Sequence, residues 1–207
     1  TSTTEAPTTS TTEAPTTSTT EAPTTSTTEA PTTTTTTVVP TTRTLGASGD
    51  TFVRGGSFSA GTNGSATLLQ VCNNSNAEFT RVGYLAFDAS TTGRSVSAAS
   101  LRLTAKTSAD SSVLEVVGVT DTSWSAVTLT WPARPAEGAL LGSFTVSDTG
   151  PVAFTVDVTA WVAARRAEGA TSIAFAVRQR TRNGKLAYVH ATENPLGKPS
   201  LVVTSTP

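Results

Sequence analysis

Arg178, Arg180 and Arg182 recur at every second position, and Lys185, Tyr188 and His190 follow them across Asn183-Gly184. On an extended strand residues two apart share a face, and Asn-Gly between two such runs signals a tight hairpin. The pattern therefore predicts a row of arginines facing Tyr188 and His190 on the adjoining strand. A guanidinium forks onto a carboxylate or a pair of hydroxyls, and a tyrosine ring offers a flat apolar surface. The chemistry on offer is the grip of a ligand that carries carboxylates or paired hydroxyls beside an apolar face. The same spacing also suits a solvated hairpin tip or an edge strand guarded by charge.

Other chemistries lack their residues. His190 is the only histidine, so a Ser/His/Asp triad has one possible base, no Gly-x-Ser-x-Gly elbow surrounds a serine, and a multi-histidine zinc site is ruled out. Cys72 is the only cysteine, which leaves no internal disulfide and no cysteine metal cluster; beside Val71 it reads as a small core residue. No pair of carboxylates is marked for glycoside cleavage, which is defined by a separation in space. The expectation is a protein that is not an enzyme and has no cofactor, with a hydrolase or lyase of unmarked carboxylates as a distant reading. Asp50, Asp88, Asp157 and Glu193 are candidates for a structural Ca2+, although no compact Asp-x-Asp-x-Asp-Gly loop gathers the six to eight oxygens calcium takes.

Trp124 and Trp131, near Val127, Leu129, Leu140 and Leu141, read as packing residues rather than exposed platforms. No apolar run reaches the length of a membrane helix, and no RNA-binding aromatic motif accompanies the basic residues. No nucleic acid and no membrane insertion are expected.

Two regions must carry these residues. Residues 1–31 repeat Thr-Ser-Thr-Thr-Glu-Ala-Pro-Thr and decay into a threonine run and Val38-Val39-Pro40. Proline fixes φ, restricts its predecessor and sits among stiff β-branched threonines, which predicts an extended, semi-rigid stalk over 1–43. Dense Thr and Ser beside Pro is the composition of O-glycosylated stalks, and places the chain outside the cell. A chain that opens inside a repeat and has no methionine reads as a piece of something longer. Four of the 15 acids lie in the repeats and all 14 bases lie beyond them, so residues 44–207 carry a mild positive excess.

From Asp50 onward short apolar runs alternate with Gly, Ser, Asn and Asp clusters. Strands are predicted over 51–54, 67–72, 81–88, 100–106, 113–119, 140–146, 153–158, 172–178, 186–191 and 200–204. One helix is expected over 158–167, opened by Thr159 as N-cap. Val82, Tyr84 and Ala86 alternate with Gly83, Leu85 and Phe87, which predicts one dry and one wet face. The expected fold is all-β, an antiparallel β-sandwich with a jelly-roll-like form.

The order of short motifs resembles the DNRLRE-type domain, also classed as carbohydrate-binding module family 96. Asp50-Thr51-Phe52-Val53-Arg54-Gly55-Gly56 is similar to its opening strand, and Arg81-Val82-Gly83-Tyr84-Leu85-Ala86-Phe87-Asp88 to its Arg-x-x-Tyr-Leu-x-Phe-Asp strand. Ser100-Leu101-Arg102-Leu103, Asp121-Thr122-Ser123-Trp124, Leu129-Thr130-Trp131, Val156-Asp157-Val158-Thr159 and Lys198-Pro199-Ser200-Leu201-Val202-Val203 follow in order.

The resemblance implies a secreted, non-catalytic β-sandwich that holds an acidic polysaccharide such as alginate through basic residues and an aromatic one. Arg54 and Arg81 stand where the family has arginine, and Tyr188 and His190 lie on its late strand. Ala191-Thr192-Glu193-Asn194 lacks the arginine of the family's Ser-Arg-Glu-like motif, and Ala86 replaces a frequent basic residue. The expected ligand surface is Arg54, Arg81, Arg178, Arg180, Arg182, Lys185, Tyr188 and His190. The alternative is a subunit of an extracellular fibre or adhesin that self-associates through the N-terminal segment.

Overall fold

The computed structural model describes residues 1–4, 9–14, 16 and 38–207. The rod-like stalk, its glycans and its use in a fibre fall for the most part outside those residues. The compact unit spans Thr37–Pro207.

Among the described residues there are ten strands and one α-helix: β1 (Thr41–Arg54), β2 (Leu68–Val71), β3 (Arg81–Asp88), β4 (Ser95–Thr107), β5 (Ser112–Val119), β6 (Leu140–Val146), β7 (Val152–Asp157), α1 (Thr159–Ala167), β8 (Ser172–Gln179), β9 (Ala187–His190) and β10 (Ser200–Thr206). All pairings are antiparallel, and they form a sandwich folded from one continuous ladder. In the first layer β7 and β10 flank β4, β9 continues along β4 beyond β10, and β2 pairs with β9. The second layer runs β3, β8, β5, β6. β1 belongs to both: Thr41–Gly46 pair with β10, Ala47–Arg54 pair with β3, and the register shifts between Ala47 and Gly49. An extra residue in one strand bends and twists it, and small residues from Gly46 to Gly49 leave room for the turn from one layer to the other.

The strand starts at Thr41, so Thr41, Thr42 and Arg43, which the sequence pattern gives to the stalk, pair with Ser205, Thr204 and Val203. Their threonine-rich composition resembles the repeat that precedes them, and only the partner strand distinguishes them from it.

Side chains two apart on each strand fill the space between the layers: Leu69 and Val71, Leu85 and Phe87, Leu101 and Leu103, Leu114 and Val116, Phe175 and Val177, Leu201 and Val203. Phe87 and Phe175 meet edge to face at 5.9 Å, a geometry that suits their quadrupoles. Phe144 of β6 and Phe154 of β7 stack at 4.6 Å where the two layers come together at their free margins.

The outer face of the second layer is not wet, contrary to the alternation expected along β3. Val53, Val82, Tyr84, Val117, Val119, Ala174 and Ala176 form a second apolar cluster there. The segment 120–139 folds back over it, burying Leu129 and packing Trp124 and Trp131 against it. Tyr84 meets Trp124 edge to face at 6.0 Å, and its hydroxyl donates to the Pro135 carbonyl at 3.2 Å. Val127 and Leu140, expected in the same cluster, stay exposed. Covering a face with an irregular segment cannot be read from strand periodicity, which records only the strand's own alternation.

α1 is opened by Asp157, whose carboxylate accepts from the Thr159 amide at 2.9 Å, while the Thr159 hydroxyl is taken up with the Ala99 backbone. Thr159 is therefore the first helical residue and not the cap. The ring of Trp161 lies over Gly118, where a Cβ would come within 2.7–2.8 Å of three ring carbons. Gly118→Ala is expected to destabilise the domain by about 1–3 kcal/mol, the usual size of an overpacking defect, read as a lower midpoint in urea unfolding.

Candidate functional site

Arg81 opens β3 beside Cys72, with which it forms an isolated bridge. It is 8% exposed. One terminal nitrogen donates to the Phe79 carbonyl at 2.9 Å, while Nε is buried without an acceptor. No carboxylate pairs with it among the described residues. Burial pulls its guanidinium below the ordinary arginine range, and the like charge of Arg54 adds to this; Cys72 and Tyr188 oppose it. An unpaired buried cation is costly, several kcal/mol in the usual case, so this is where an anion from outside is worth most.

Arg81 lines a cleft of about 410 Å3 at the end of the second layer. β8 contributes Arg178, which sits on the same outer face as Ala174 and Ala176. Its Nε donates to Glu115 at 2.9 Å and a terminal nitrogen donates to Glu137 at 2.8 Å. Those two carboxylates raise the Arg178 pKa, the Glu137 hydrogen bond foremost. Glu115 is 5% exposed and also lies 3.8 Å from Arg180. The Arg180 side chain is 70% exposed and lines the same cleft. Trp131 supplies an indole wall, with the Arg134 guanidinium 3.8 Å from its ring centre. The cleft thus combines a buried cation with no carboxylate beside it, an exposed cation, a charge cluster around Arg178 and a flat apolar surface.

The expected arginine row and the Tyr188–His190 strand do not form a hairpin. Both edges of β8 are taken by β3 and β5, so β9 cannot pair with it and lies in the other layer, against β2 and β4. The crossing is pinned by the Gly184 amide on the Asn73 carbonyl at 2.9 Å and by Gln179 Nε2 on the Lys185 carbonyl at 2.9 Å. Gly184 has φ of 72°, and a Cβ there would come within 2.5 Å of Asn74.

His190 is corrected as a ligand residue: it is 4% exposed, with Nδ1 2.6 Å from the Leu196 carbonyl. Tyr188 is half-buried on the outer face of the first layer, in register with Gln70 and Lys106, and the Lys106 ammonium lies 5.9 Å from its ring centre. Lys185 pairs with Asp110 at 3.4 Å, and Arg182 is exposed in the crossing segment. Arg54 donates to the Glu78 carbonyl at 2.7 Å and stacks on Phe58. The structure therefore gathers Arg81, Arg178 and Arg180, and adds Trp131, Glu115 and Glu137. Glu115 carries a sequence signal, a lone acid inside the apolar run 113–117. Trp131, expected to pack rather than to face a ligand, packs on the second cluster and also lines the cleft, and Glu137 arrives on the covering segment with no sequence signal.

The four acids considered for calcium do not converge, and among the described residues no three His, Cys, Asp or Glu side chains do. Asp88 and Asp157 accept from the amides of Ser90 and Thr159. Asp50 is buried, with one oxygen accepting from the amide and hydroxyl of Thr192 and the other unpartnered. This donor set is too sparse for a calcium shell. Burial raises the Asp50 pKa, with Glu193 adding repulsion and Thr192 opposing it.

A carboxyl that holds its proton more tightly folded than unfolded stabilises the fold below the ordinary value of 3.8 and loses that contribution as pH rises through its raised value. Asp50→Asn is expected to melt above the parent chain at pH 7, with the gap closing by about pH 3, as read by thermal unfolding across pH.

The sequence model of carbohydrate-binding module family 96 matches residues 41–205. A solved carbohydrate-binding module, CBM36 in complex with calcium and xylotriose, is similar over 80% of this chain and 99% of that chain, with a TM-score of 0.36 and 12% identity. No curated protein matches. With its ten-stranded domain matched almost from end to end by the family model, the chain belongs to carbohydrate-binding module family 96.

Proposed function

We propose that this chain is a non-catalytic extracellular module that holds an acidic polysaccharide, alginate being the favoured class, in the cleft around Arg81. The observation that carries the reading is Arg81 itself, a buried guanidinium with an unpartnered Nε and no carboxylate of its own, in a cleft walled by Trp131. A uronate carboxylate supplies the missing charge, and the sugar's C–H face packs on the indole. Arg180, exposed at the mouth, suits a second carboxylate along the chain. Both acids in the cleft, Glu115 and Glu137, accept from Arg178, an arrangement that shapes a wall rather than an acid and base facing a scissile bond.

The Thr/Pro repeat that precedes the domain supports a secreted location and a glycosylated tether. A module on such a tether raises the local concentration of its neighbours near the polymer without changing it.

Affinity electrophoresis of the full chain through gels containing alginate, pectin, hyaluronan or neutral glucans tests the proposal. Retardation is expected in the polyuronate gels, weakening as salt rises because exposed Arg180 is screened. Equal mobility in every gel would end it.

A further inference from the structure

Two of the exposed large apolar side chains are aromatic, and they stand together. Phe58 is 49% exposed and Phe79 is 46% exposed. They end the short 3₁₀ turns Gly56–Phe58 and Ala77–Phe79. Arg54 joins them, its guanidinium carbon 3.5 Å from the Phe58 ring centre and 6.0 Å from that of Phe79.

These rings are held in place. Glu78 accepts from the Ser57 amide at 2.7 Å and from its hydroxyl at 2.6 Å, and Arg54 Nε donates to the Glu78 carbonyl. Gly56, at φ of 65°, lies so close to Glu78 that a Cβ would fall within 2.4 Å of its carboxylate. A braced pair of exposed phenyl rings gains nothing for the fold by facing water, whereas a rigid apolar surface binds without a large ordering loss.

The turns adjoin the Arg81 cleft through Trp131. Trp131 donates its amide to the Ser59 carbonyl at 3.0 Å, and its ring lies against Gly55, where a Cβ would be 3.5 Å from Cε2. Arg81 and Trp131 line the cleft, with Arg134 against the indole ring, and the neighbouring turn carries Phe58 with Arg54 against its ring. Each ring has a guanidinium against it. A polyuronate offers the matching pair, each sugar carrying an apolar ring face and a carboxylate.

We propose that the paired turns around Arg54 form a second subsite, where Phe58 stacks on a sugar ring of the same polyanionic chain that Arg81 anchors. This rests on the polysaccharide reading above and extends it to a track several sugars long. Phe58 supplies the apolar platform, Arg54 the charge beside it, and the Glu78–Ser57 brace their geometry. Short oligosaccharides reach one subsite and longer ones reach both, so affinity rises with chain length as the second contact becomes intramolecular.

The test is calorimetric titration of the full chain and of Phe58→Ala with an oligouronate size series, from disaccharide to octasaccharide. Phe58 is half exposed, so its loss spares the core. The expected result is about a tenfold weaker grip on the longest oligomers, the worth of half a phenyl ring's burial, with disaccharide affinity unchanged. Equal affinities of the variant and the parent at every length would overturn the second subsite while leaving the Arg81 reading intact. A uniform loss at all lengths would overturn it too, since it would place Phe58 behind the first site. If the parent bound no oligouronate, the polysaccharide reading itself would fall.

Discussion

Arg81→Met is expected to lose acidic-polysaccharide binding by about 100-fold while leaving the domain at least as stable as before. Two effects of opposite sign meet at this residue. The substitution removes the hydrogen bond to the Phe79 carbonyl, worth about 1 kcal/mol. It also removes a buried charge with no partner and an unsatisfied Nε, a burden of several kcal/mol. Methionine fills similar space with an adaptable apolar chain, so relief outweighs loss and the urea midpoint rises or holds. Binding moves the other way, because a desolvated charge pair with the ligand is worth about 2–5 kcal/mol. A residue kept for packing would show the reverse, a falling midpoint with binding intact. Equilibrium unfolding and titration on the same sample separate the two.

Arg178→Ala is expected to destabilise the domain by about 2 kcal/mol and to weaken binding through the shape of the cleft. Removing the guanidinium leaves Glu115, 5% exposed, without its 2.9 Å donor. Losing one partner of a buried ion pair typically costs about 3–5 kcal/mol. Here the Arg178 side chain is 37% exposed and Arg180 stands 3.8 Å away to take over, which lowers the figure. The double variant Arg178→Met with Glu115→Gln is expected to recover most of the stability, because it removes both charges together. Its polymer binding stays weak, since Glu137 loses its anchor as well. A double variant no more stable than Arg178→Ala would show that the charge stranded on Glu115 is not what the single variant suffers from.

The fold was legible wherever a strand carries its own alternation. The runs 81–88 and 140–146 were read to the residue, and most other strands within one or two positions. β4 begins at Ser95, five residues before the expected start, and two further stretches resisted for physical reasons. Thr41–Leu45 have mostly exposed side chains on a margin of the sheet and the composition of a linker, so only pairing with β10 makes them strand. Segment 120–139 has no period at all, yet it covers the second apolar cluster and delivers Trp131, Arg134 and Glu137 to the cleft.

The cations of the candidate cleft carry a sequence signal, and their arrangement does not. Arg178 and Arg180 of the expected row line a cleft with Arg81, which the family motif and not the row singles out, while Arg182 lies outside it. The turn Asn183-Gly184 suggested a hairpin, but a strand hemmed by neighbours on both edges cannot make one, and local turn chemistry does not record which edges are free. Arg81 drew attention through a motif, whereas its lack of a carboxylate is a property of the packed molecule alone.

The most direct measurement is NMR of the arginine Nε–Hε groups during titration of the full chain with an oligouronate. The Arg81 signal is expected to shift as ligand is added, with Arg180 moving at the same concentrations. Saturable binding that leaves the Arg81 signal where it stands in the free protein would contradict it.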